Sequence, residues 1–262
     1  MEKYIHDESV HNSTAPKQLV PILVELFHPI SVVDIGCGIG TFLHEFIEHN
    51  ITDVLGIDSE WVDKALLTKY LSKDLFVEAD LGKKLVLNRR FDLAICLEVA
   101  EHIDQEKVGT FIDTVTSLSD VVVFSAAIPG QGGQNHVNEQ WLSYWESCFK
   151  IHDYVMYDII RPLIWDNPNI FFWYKQNMVV FAKKGCIINS LQKESCCPIH
   201  NLVHPELYLQ HFNSLSKYQS DNARLEYQLN RVLSGSYPIK AYLRLLIRYV
   251  NVRFLKLVKR NK

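Results

Sequence analysis

The sequence predicts an α/β protein built around an open, mostly parallel β-sheet, and two observations indicate this fold. Residues 32–40 combine a β-branched strand with a turn that carries three glycines at alternate positions, and a helical pattern follows from Thr41. Four further apolar strands follow along the chain, and most of them end in an acid or a glycine turn. A strand, a glycine turn and a helix at the start of such a pattern are typical of a nucleotide-like cofactor site.

The spacing of the glycines distinguishes between two kinds of cofactor site. In the NAD fingerprint G-x-G-x-x-G the third glycine would stand at Thr41, whereas here the third glycine is Gly40. An acid, Asp34, also stands two residues before the first glycine, Gly36. This D-x-G-x-G-x-G pattern resembles motif I of the class I S-adenosylmethionine (SAM)-dependent methyltransferases.

The resemblance implies a fold and a cofactor. The fold is the Rossmann-like sheet of that class, with seven mostly parallel strands, to which this chain adds a C-terminal helical extension. The implied cofactor is SAM, with Asp34 shaping the loop that receives it. The residues expected beside SAM in this turn are Gly36, Cys37 and Gly38.

Acids at the ends of the next two strands suit the same cofactor. Asp58 ends the second strand, where a carboxylate can accept hydrogen bonds from both ribose hydroxyls, and we place Ser59 in the same site. The alternative for Asp58 is a helix N-cap, since Asp is a good cap. The third strand, residues 75–81, contains Asp80 near its end, and the resemblance implies that Asp80 reads the adenine amino group. It also implies that the N–H of Leu81 reads a ring nitrogen.

The segments after the fourth and fifth strands supply the candidates for chemistry. Residues 98–103 resemble methyltransferase motif IV, which implies that Glu98 lies near the methionine group of SAM. Glu101 and His102 follow directly, and His136 follows the glycine-rich loop after the fifth strand. An imidazole suits a general base for a hydroxyl acceptor, although His102 could instead be a helix-start residue held by hydrogen bonds. We expect three residues of the second loop to orient the acceptor: Asn138, Glu139 and Trp141.

The same acids and histidines leave a metal site open as an alternative. The E-x-x-E-H arrangement resembles metal-using small-RNA 3′-terminal 2′-O-methyltransferases and ubiquinone-pathway O-methyltransferases. If a divalent metal binds, its ligands would be Glu98, Glu101, His102 and His136. The pattern L-E-V-x-E-H also occurs in methyltransferases without a metal, so we do not favour one.

Residues 124–141 carry a more specific resemblance. The segment F-S-A-A-I-P-G-Q-G-G-x-x-H-V-N-E-Q-W, within a core of about residues 8–184, is similar to one bacterial family of class I methyltransferases. The resemblance implies methyl transfer and does not name the acceptor. One departure is Asn135, because members often have a single residue, commonly Gly, before the histidine.

The composition is that of an ordinary globular protein, with 262 residues, 48% hydrophobic and 22% charged. The net charge of −3 gives no reason to expect nucleic acid as a partner. The N-terminus is polar and mixed in charge, unlike a signal peptide, and no uncharged apolar run reaches the ~18 residues of a membrane span. We therefore expect a cytoplasmic protein.

Six cysteines are present, and we expect reduced, unligated thiols. Cys37 and Cys96 fall inside strand-end motifs and suit small buried positions. The cluster at residues 196–200, with His204 beyond it, lacks the paired C-x-x-C spacing of structural zinc sites.

The chain divides into three parts by composition. We predict a methyltransferase domain with an N-terminal helical leader at residues 1–184, a linker at residues 185–204 and a helical tail at residues 205–262. The leader helix, from Pro16 to Leu26, should pack on the edge of the sheet. Apolar residues at 3-4 spacing with Asn222 at a seam position predict a short heptad helix in the tail. Such a helix can form a homodimer or pack on its own core.

From Ile239 the tail is basic, apolar on one face and free of acids, a pattern that suits peripheral contact with the inner membrane face. The alternative is docking on a neighbouring subunit. The tail also resembles those of bacterial enzymes that build surface polysaccharides on lipid-linked glycans. We therefore expect methyl transfer from SAM to a sugar hydroxyl in polysaccharide synthesis. The alternatives are a metal-dependent RNA ribose 2′-O-methyltransferase and a non-catalytic SAM-binding scaffold.

Overall fold

The computed structural model describes residues 12–186, 201–236, 238–240 and 243–244, and within them seven strands form one sheet. The strand order is β3-β2-β1-β4-β5-β7-β6, and among these described strands β7 runs in the opposite direction to the other six. The strands are β1 (Ser31–Ile35), β2 (Asp53–Asp58), β3 (Phe76–Glu78), β4 (Leu93–Leu97), β5 (Val121–Ser125), β6 (Tyr154–Tyr157) and β7 (Val179–Lys183). This confirms the predicted seven-stranded, mostly parallel α/β sheet.

Helices cover both faces of the sheet. The helices of the first compact unit are α1 (Thr14–Phe27), α2 (Thr41–Glu48), α3 (Lys64–Tyr70), α4 (Val108–Leu118), α5 (Leu142–Lys150), α6 (Arg161–Ile164) and α7 (Phe172–Asn177). A further helix, α8 (Pro205–Leu233), lies mainly in the second unit. Alternate strand residues enter two apolar layers: Val32 faces the layer that contains side chains of α1, α2 and α3, whereas Val33 faces that of α4 and α5. Each strand of the centre is therefore buried on both sides, which explains its continuous apolar sequence.

The direction of β7 determines which residues meet at the functional edge. The five strands from β3 to β5 in the sheet order are parallel, so their carboxyl ends lie on the same edge. Because β7 is antiparallel to β5, its amino end lies on that edge too, and Asn177 at the end of α7 is brought there. In an open α/β sheet this edge holds the ligand.

Two elements differ from their predicted form. The third strand ends at Glu78, so Asp80 lies in the following turn, where its side chain accepts a hydrogen bond from the N–H of Gly82 (2.9 Å). The leader helix α1 was expected at the edge of the sheet but packs beside α2 in the layer on one face. Its residues Leu19 and Leu23 are fully buried there, since the i, i+4 spacing places them on one side of the helix.

The chain separates into two compact units, of which the first ends at Leu207 and the second begins at Tyr208. The predicted linker lies largely, and the cysteine cluster at residues 196–200 entirely, outside the described residues, as does most of the basic tail beyond Ile239. The heptad segment is helical, because α8 continues to Leu233, and Leu215 and Leu225 are more than half exposed. Cys37 and Cys96 are buried free thiols, as predicted. None of the described helices is long and apolar enough to cross a membrane.

Candidate active site

The turn after β1 needs glycine for two physical reasons. Gly36 has φ of +83°, a left-handed conformation that strains any residue with a Cβ. A Cβ at Gly36 would also lie 2.3 Å from Cγ2 of Val99. The N–H groups of Gly36 and Cys37 both donate to the Ile57 carbonyl, at 2.7 and 3.2 Å, which ties the turn to β2. Glycine therefore lets this turn pack directly against Val99, the residue after Glu98.

Asp58 connects this turn to the end of β2. Its Oδ2 accepts from the N–H of Gly38 at 2.7 Å, and its Oδ1 accepts from the N–H of Ser59 at 2.6 Å. Each oxygen retains a second lone pair, so both ribose hydroxyls could still be bound. The helix-cap alternative for Asp58 is wrong, because the N-cap of α3 is Asp63, which accepts from the first turn of that helix.

A buried carboxyl group, that of Asp34, interacts with the charge of the partly buried Asp58 at this turn. Burial raises the pKa of Asp58, and hydrogen bonds from Gly38 and Ser59 oppose that effect. Burial, followed by the charge of Asp58, raises the pKa of Asp34 well above its usual value. The side-chain hydrogen bond to the loop comes from Asp58, and the role of Asp34 in shaping the loop stays a prediction.

The residues expected at the adenine lie after β3. Asp80 is exposed, and its Oδ2 lies 3.0 Å from Nζ of Lys83. This contact lowers the pKa of Asp80, and the hydrogen bond from the N–H of Gly82 adds to the effect, whereas slight burial opposes it. Leu81 is buried. An ionised carboxylate therefore stands at the carboxyl end of β3, and its contact with adenine stays a prediction.

Glu98 follows β4 in a strained conformation, with φ of +56°. Its N–H donates to the Ser125 carbonyl at 3.0 Å, which ties it to β5. Its Oε2 accepts from Nε2 of Gln131 at 2.9 Å, and its Oε1 accepts from Nδ2 of Asn177 at 3.2 Å. Burial raises the pKa of Glu98, and the hydrogen bonds from Ser125, Asn177 and Gln131 partly offset that rise.

Glu101 is fully buried, and among the described residues neither of its carboxyl oxygens has a hydrogen-bond partner. Burial, followed by the charge of Glu98, raises the pKa of Glu101 well above its usual value, against a smaller opposing effect of nearby backbone N–H groups. Its Oε1 lies 4.0 Å from Nε2 of His136. A buried carboxyl without a donor is destabilising, and such groups concentrate at functional sites.

The two candidate bases are neighbours in space. The rings of His102 and His136 lie 5.0 Å apart at 82°, edge to face. His102 ends a short 3-10 helix, and its Nδ1 lies 3.3 Å from the carbonyl of Asn135, so it is held by a hydrogen bond without starting a helix. Burial, followed by the charge of His136, lowers the pKa of His102 to about 4, so His102 is neutral at pH 7 and a weak base.

His136 is held by a carboxylate. Its Nδ1 lies 2.8 Å from Oε1 of Glu139. The same oxygen accepts from the N–H of Gly132 at 2.8 Å, and Oε2 accepts from the N–H of Gly130 at 2.7 Å. Burial alone would raise the pKa of Glu139, but the hydrogen bonds from His136 and the two glycines lower it. Because an ionised Glu139 can only accept, Nδ1 of His136 carries a proton and Nε2 is the nitrogen left to face a ligand. A Cβ at Gly133 would lie 2.2 Å from Nε2, so glycine at this position leaves room for the ring of His136.

The structure separates the three residues expected to orient the acceptor. Glu139 is engaged with His136 and the loop, as described above. Asn138 is buried, its N–H donates to the Glu101 carbonyl at 2.9 Å, and its Nδ2 has no partner among the described residues. Trp141 precedes α5 and is 37% exposed, and within the described chain no ring or hydrogen-bond contact joins it to either histidine.

The metal alternative has a partial counterpart in the structure. One potential ligand atom from each of Glu101, His102 and His136 lies within 4.8 Å of the others. Glu98, the fourth expected ligand, does not belong to this cluster, because its oxygens accept from Gln131 and Asn177. The imidazole and carboxylate donors suit a divalent cation.

Sequence reasoning missed the amides that surround Glu98. Gln131, Gln176 and Asn177 are hydrogen-bonded to one another, and the last two are almost fully buried. Gln176 and Asn177 precede an apolar strand. In a parallel strand, residues at that position lie at the amino ends of the strands, opposite the edge that holds the ligand. The available signal was a polar pair before a strand that pairs antiparallel, since only that direction brings them to the cofactor edge.

A cavity of about 370 Å³ lies elsewhere, among residues 84–90 and α4. Its arginines are engaged: Arg89 pairs with Asp53 at the start of β2, and Arg90 pairs with Asp120 just before β5. These contacts place the cavity at the amino ends of the strands, opposite the candidate active site.

The family model of the methyltransferase domain matches residues 10–163, more than half of the chain. The chain therefore belongs to this family, and with its fold it is a class I, SAM-dependent methyltransferase. The partly exposed carboxylate of Asp58, at the end of β2 and hydrogen-bonded to the glycine turn, fits SAM as the cofactor. No curated protein matches the sequence.

Solved structures with a similar fold include three methyltransferases. The methyltransferase domain of bacterial CtHen1 has a TM-score of 0.47 at 16% identity, covering 66% of this chain and 99% of that one. Magnesium protoporphyrin IX methyltransferase of Synechocystis with bound SAM has a TM-score of 0.46 at 17% identity, covering 68% and 87%. The sugar N-methyltransferase KedS8 of Streptoalloteichus has a TM-score of 0.40 at 21% identity, covering 52% and 62%. At these distances the likeness indicates no particular substrate.

Proposed function

We propose that this methyltransferase transfers the methyl group of SAM to an oxygen acceptor, a sugar hydroxyl in bacterial surface polysaccharide synthesis. The observation that carries the oxygen acceptor is the pair of His136 and Glu139 at the cofactor edge of the sheet. A hydroxyl must lose its proton during methyl transfer, and a neutral imidazole with one nitrogen free is the side chain best suited to take it.

SAM, when bound, supplies a methyl group on a positively charged sulfur, which is a good leaving group. Nε2 of His136 takes the proton of the acceptor hydroxyl. Glu139, 2.8 Å from Nδ1, keeps the ring in the required tautomer and stabilises the imidazolium that forms. Asp58 and the turn at Gly36 hold the nucleoside end of SAM, and Glu98 holds its methionine end.

The sugar acceptor rests on the sequence of the tail and on nothing in the site. The tail resembles those of enzymes that act on lipid-linked glycans at the inner membrane face, and its basic segment begins at Ile239. Peripheral membrane contact and a homodimer through the heptad helix belong to the same proposal. No transmembrane segment is required for either, because an amphipathic helix lies in the plane of the interface.

A second function is favoured by one observation. The buried carboxyl of Glu101 has no hydrogen-bond partner among the described residues, and it faces two imidazoles within 4.8 Å. A divalent cation there would satisfy it and could polarise an acceptor hydroxyl directly. This arrangement suits the alternative of an RNA ribose 2′-O-methyltransferase, although a net charge of −3 is unfavourable for RNA binding.

The deciding experiment incubates the protein with methyl-labelled SAM and a fractionated extract of its source cells, with and without EDTA. Label in the glycan or lipid-linked fraction despite EDTA is the expected result. Label in RNA that disappears with EDTA would replace the proposal by the second function. SAM binding without label in any fraction would contradict both and indicate a SAM-binding scaffold.

Matched variants separate the two histidines. We expect His136→Gln to lower the methylation rate by roughly 10²–10⁴-fold, the usual contribution of a general base. His102→Gln should lower it far less, because the low pKa of His102 makes it a weak base. Equal losses in both variants, together with activation by Mg²⁺ or Mn²⁺, would instead indicate that both rings bind a metal.

A further inference from the structure

The carboxylate of Glu98 is the end point of a chain of amide groups. Its two oxygens accept from Gln131 and Asn177, as described above. Gln176 stands one step further away, and its Nε2 donates to Oε1 of Gln131 at 3.1 Å and to Oδ1 of Asn177 at 2.9 Å. Asn177 also donates to Oε1 of Gln131 at 2.9 Å. Every side-chain amide therefore accepts on one side and donates towards Glu98.

The far end of this chain is held by the segment of residues 201–207, here named the anchor segment. The N–H of His204 donates to Oε1 of Gln176 at 2.8 Å. The backbone N–H at this end can only donate, so it fixes Oε1 of Gln176 on its own side and directs Nε2 towards the other two amides. Aligned in one direction, the amide dipoles strengthen each other and favour the charged form of Glu98.

The anchor segment is built into the first compact unit. His204 and Leu207 are almost fully buried, and the ring of His204 lies 4.5 Å from that of Trp165. Glu206 forms an ion pair with Lys175, whose side chain is buried in α7 next to Gln176. A buried ammonium group depends strongly on its partner, so this ion pair holds the segment against α7.

We propose that Gln176 is a positioning residue for SAM, and that the anchor segment fixes it from the far side. Glu98 adopts a left-handed conformation that is unfavourable for a non-glycine residue, so its side chain needs external restraint. The amides supply that restraint, and the anchor segment prevents Gln176 from turning away. This inference rests on the proposed placement of Glu98 at the methionine end of SAM.

The test measures SAM affinity by calorimetry in full-length variants. Gln176→Met keeps the volume and removes both hydrogen-bonding atoms. We expect about tenfold weaker SAM binding, which corresponds to the loss of one or two hydrogen bonds. Glu206→Gln loosens the anchor segment from a half-exposed position and should weaken binding by roughly threefold or more. Glu226→Gln, an exposed change further along α8, is the control and should leave SAM affinity unchanged.

A double variant shows whether the anchor segment acts through Gln176. In the Gln176→Met background we expect Glu206→Gln to have no further effect on SAM affinity, because the connection is already broken. Wild-type affinity in Gln176→Met, or an undiminished effect of Glu206→Gln in that background, would overturn the inference. If Gln176→Met does not fold, the test rests on Glu206→Gln alone. Wild-type SAM affinity in Glu206→Gln would then overturn the inference.

Glu98→Gln distinguishes a failure of this inference from a failure of its premise. Unchanged SAM affinity in Glu98→Gln would show that Glu98 is not at the cofactor. Weaker binding in Glu98→Gln with wild-type affinity in Gln176→Met would overturn the inference alone. The identity of the methyl acceptor affects neither measurement.

Discussion

At the scale of single residues, the site combines groups in unfavourable surroundings. Glu101 is a buried carboxyl with no hydrogen-bond partner among the described side chains, His102 is a partly buried imidazole, and Glu98 is a non-glycine residue in a left-handed conformation. Each is destabilising by itself, and a fold retains such residues where chemistry or ligand binding needs them. The destabilisation is measurable, because substitution of these residues should make the free protein more stable.

Glu101→Gln is expected to stabilise the free protein at pH 7. The folded-state pKa of Glu101 is raised, so the unfolded state ionises first and the stability of the wild type falls as pH rises above about 4.5. Gln carries no charge, so its advantage should grow from pH 4 to pH 7 and be close to zero at pH 4. Urea unfolding at both pH values measures this. An advantage that does not change with pH would contradict the raised pKa.

His102 gives the opposite dependence on pH. Its folded-state pKa of about 4 lies below the usual 6.5, so protons bind first to the unfolded state as pH falls. The stability of the wild type should decrease between pH 6.5 and pH 4, by at most roughly 3 kcal/mol. His102→Gln lacks this loss, and the difference between the two proteins in urea unfolding isolates it. Parallel curves for both proteins would show that His102 titrates normally.

At the scale of elements, the turn between β1 and α2 decides whether a cofactor can approach the backbone. Position 36 requires glycine for two reasons: its φ is left-handed, and Val99 fills the space that a Cβ would take. The loop after β5 has a different design, because the carboxylate of Glu139 holds the N–H groups of Gly130 and Gly132 and the ring of His136 together. One turn is shaped by steric exclusion and the other by hydrogen bonds to one anion.

Gly36→Ala and Gly130→Ala separate strain from steric overlap. Both glycines have φ near +84°, but a Cβ at Gly130 meets no atom within 4 Å. We expect Gly130→Ala to lower the free energy of unfolding by about 1–2 kcal/mol, the cost of a left-handed conformation. Gly36→Ala adds overlap with Val99 and should lower it by about 2–5 kcal/mol. Equal values in denaturant unfolding would show that Val99 moves aside freely.

At the scale of the whole molecule, the sheet order brings the carboxyl ends of five parallel strands and the start of β7 to one edge. The residues on that edge come from positions between Asp34 and Asn177, so the cofactor crosslinks distant parts of the chain. Ligand that binds only the folded state stabilises it by mass action, about 2.7 kcal/mol at a concentration 100 times its Kd.

We therefore expect SAM at saturating concentration to raise the melting temperature by about 5–10 °C. Asp58→Ala should abolish most of this rise, because the ribose hydroxyls lose a charged acceptor and the turn at Gly38 loses its hydrogen bond. Asp53→Ala is the matched control, since it breaks an exposed ion pair with Arg89 at the other end of β2. A full rise in Asp58→Ala would contradict the ribose assignment.

The sequence by itself determined which segments form the central strands and which acids follow them. Motif residues such as Gly36 and Asp58 are readable because their roles depend on the local backbone, a turn and a strand end. The same is true of His136, which follows a glycine loop. Each of these signals lies within a few residues of the group that it identifies.

Only the tertiary structure decided which of these residues act together. It distinguished two histidines that are equivalent in sequence, because the burial of His102 and its closeness to His136 depend on how distant segments pack. It added Gln176 and Asn177, which reach the cofactor edge only because β7 runs antiparallel. It also connected His204 to Glu98 through the amides of Gln176 and Asn177. His204 is 28 residues from Gln176 along the chain, and Asn177 is 79 residues from Glu98. Hydrogen bonds of that range depend on the direction and packing of whole elements, which no local sequence pattern contains.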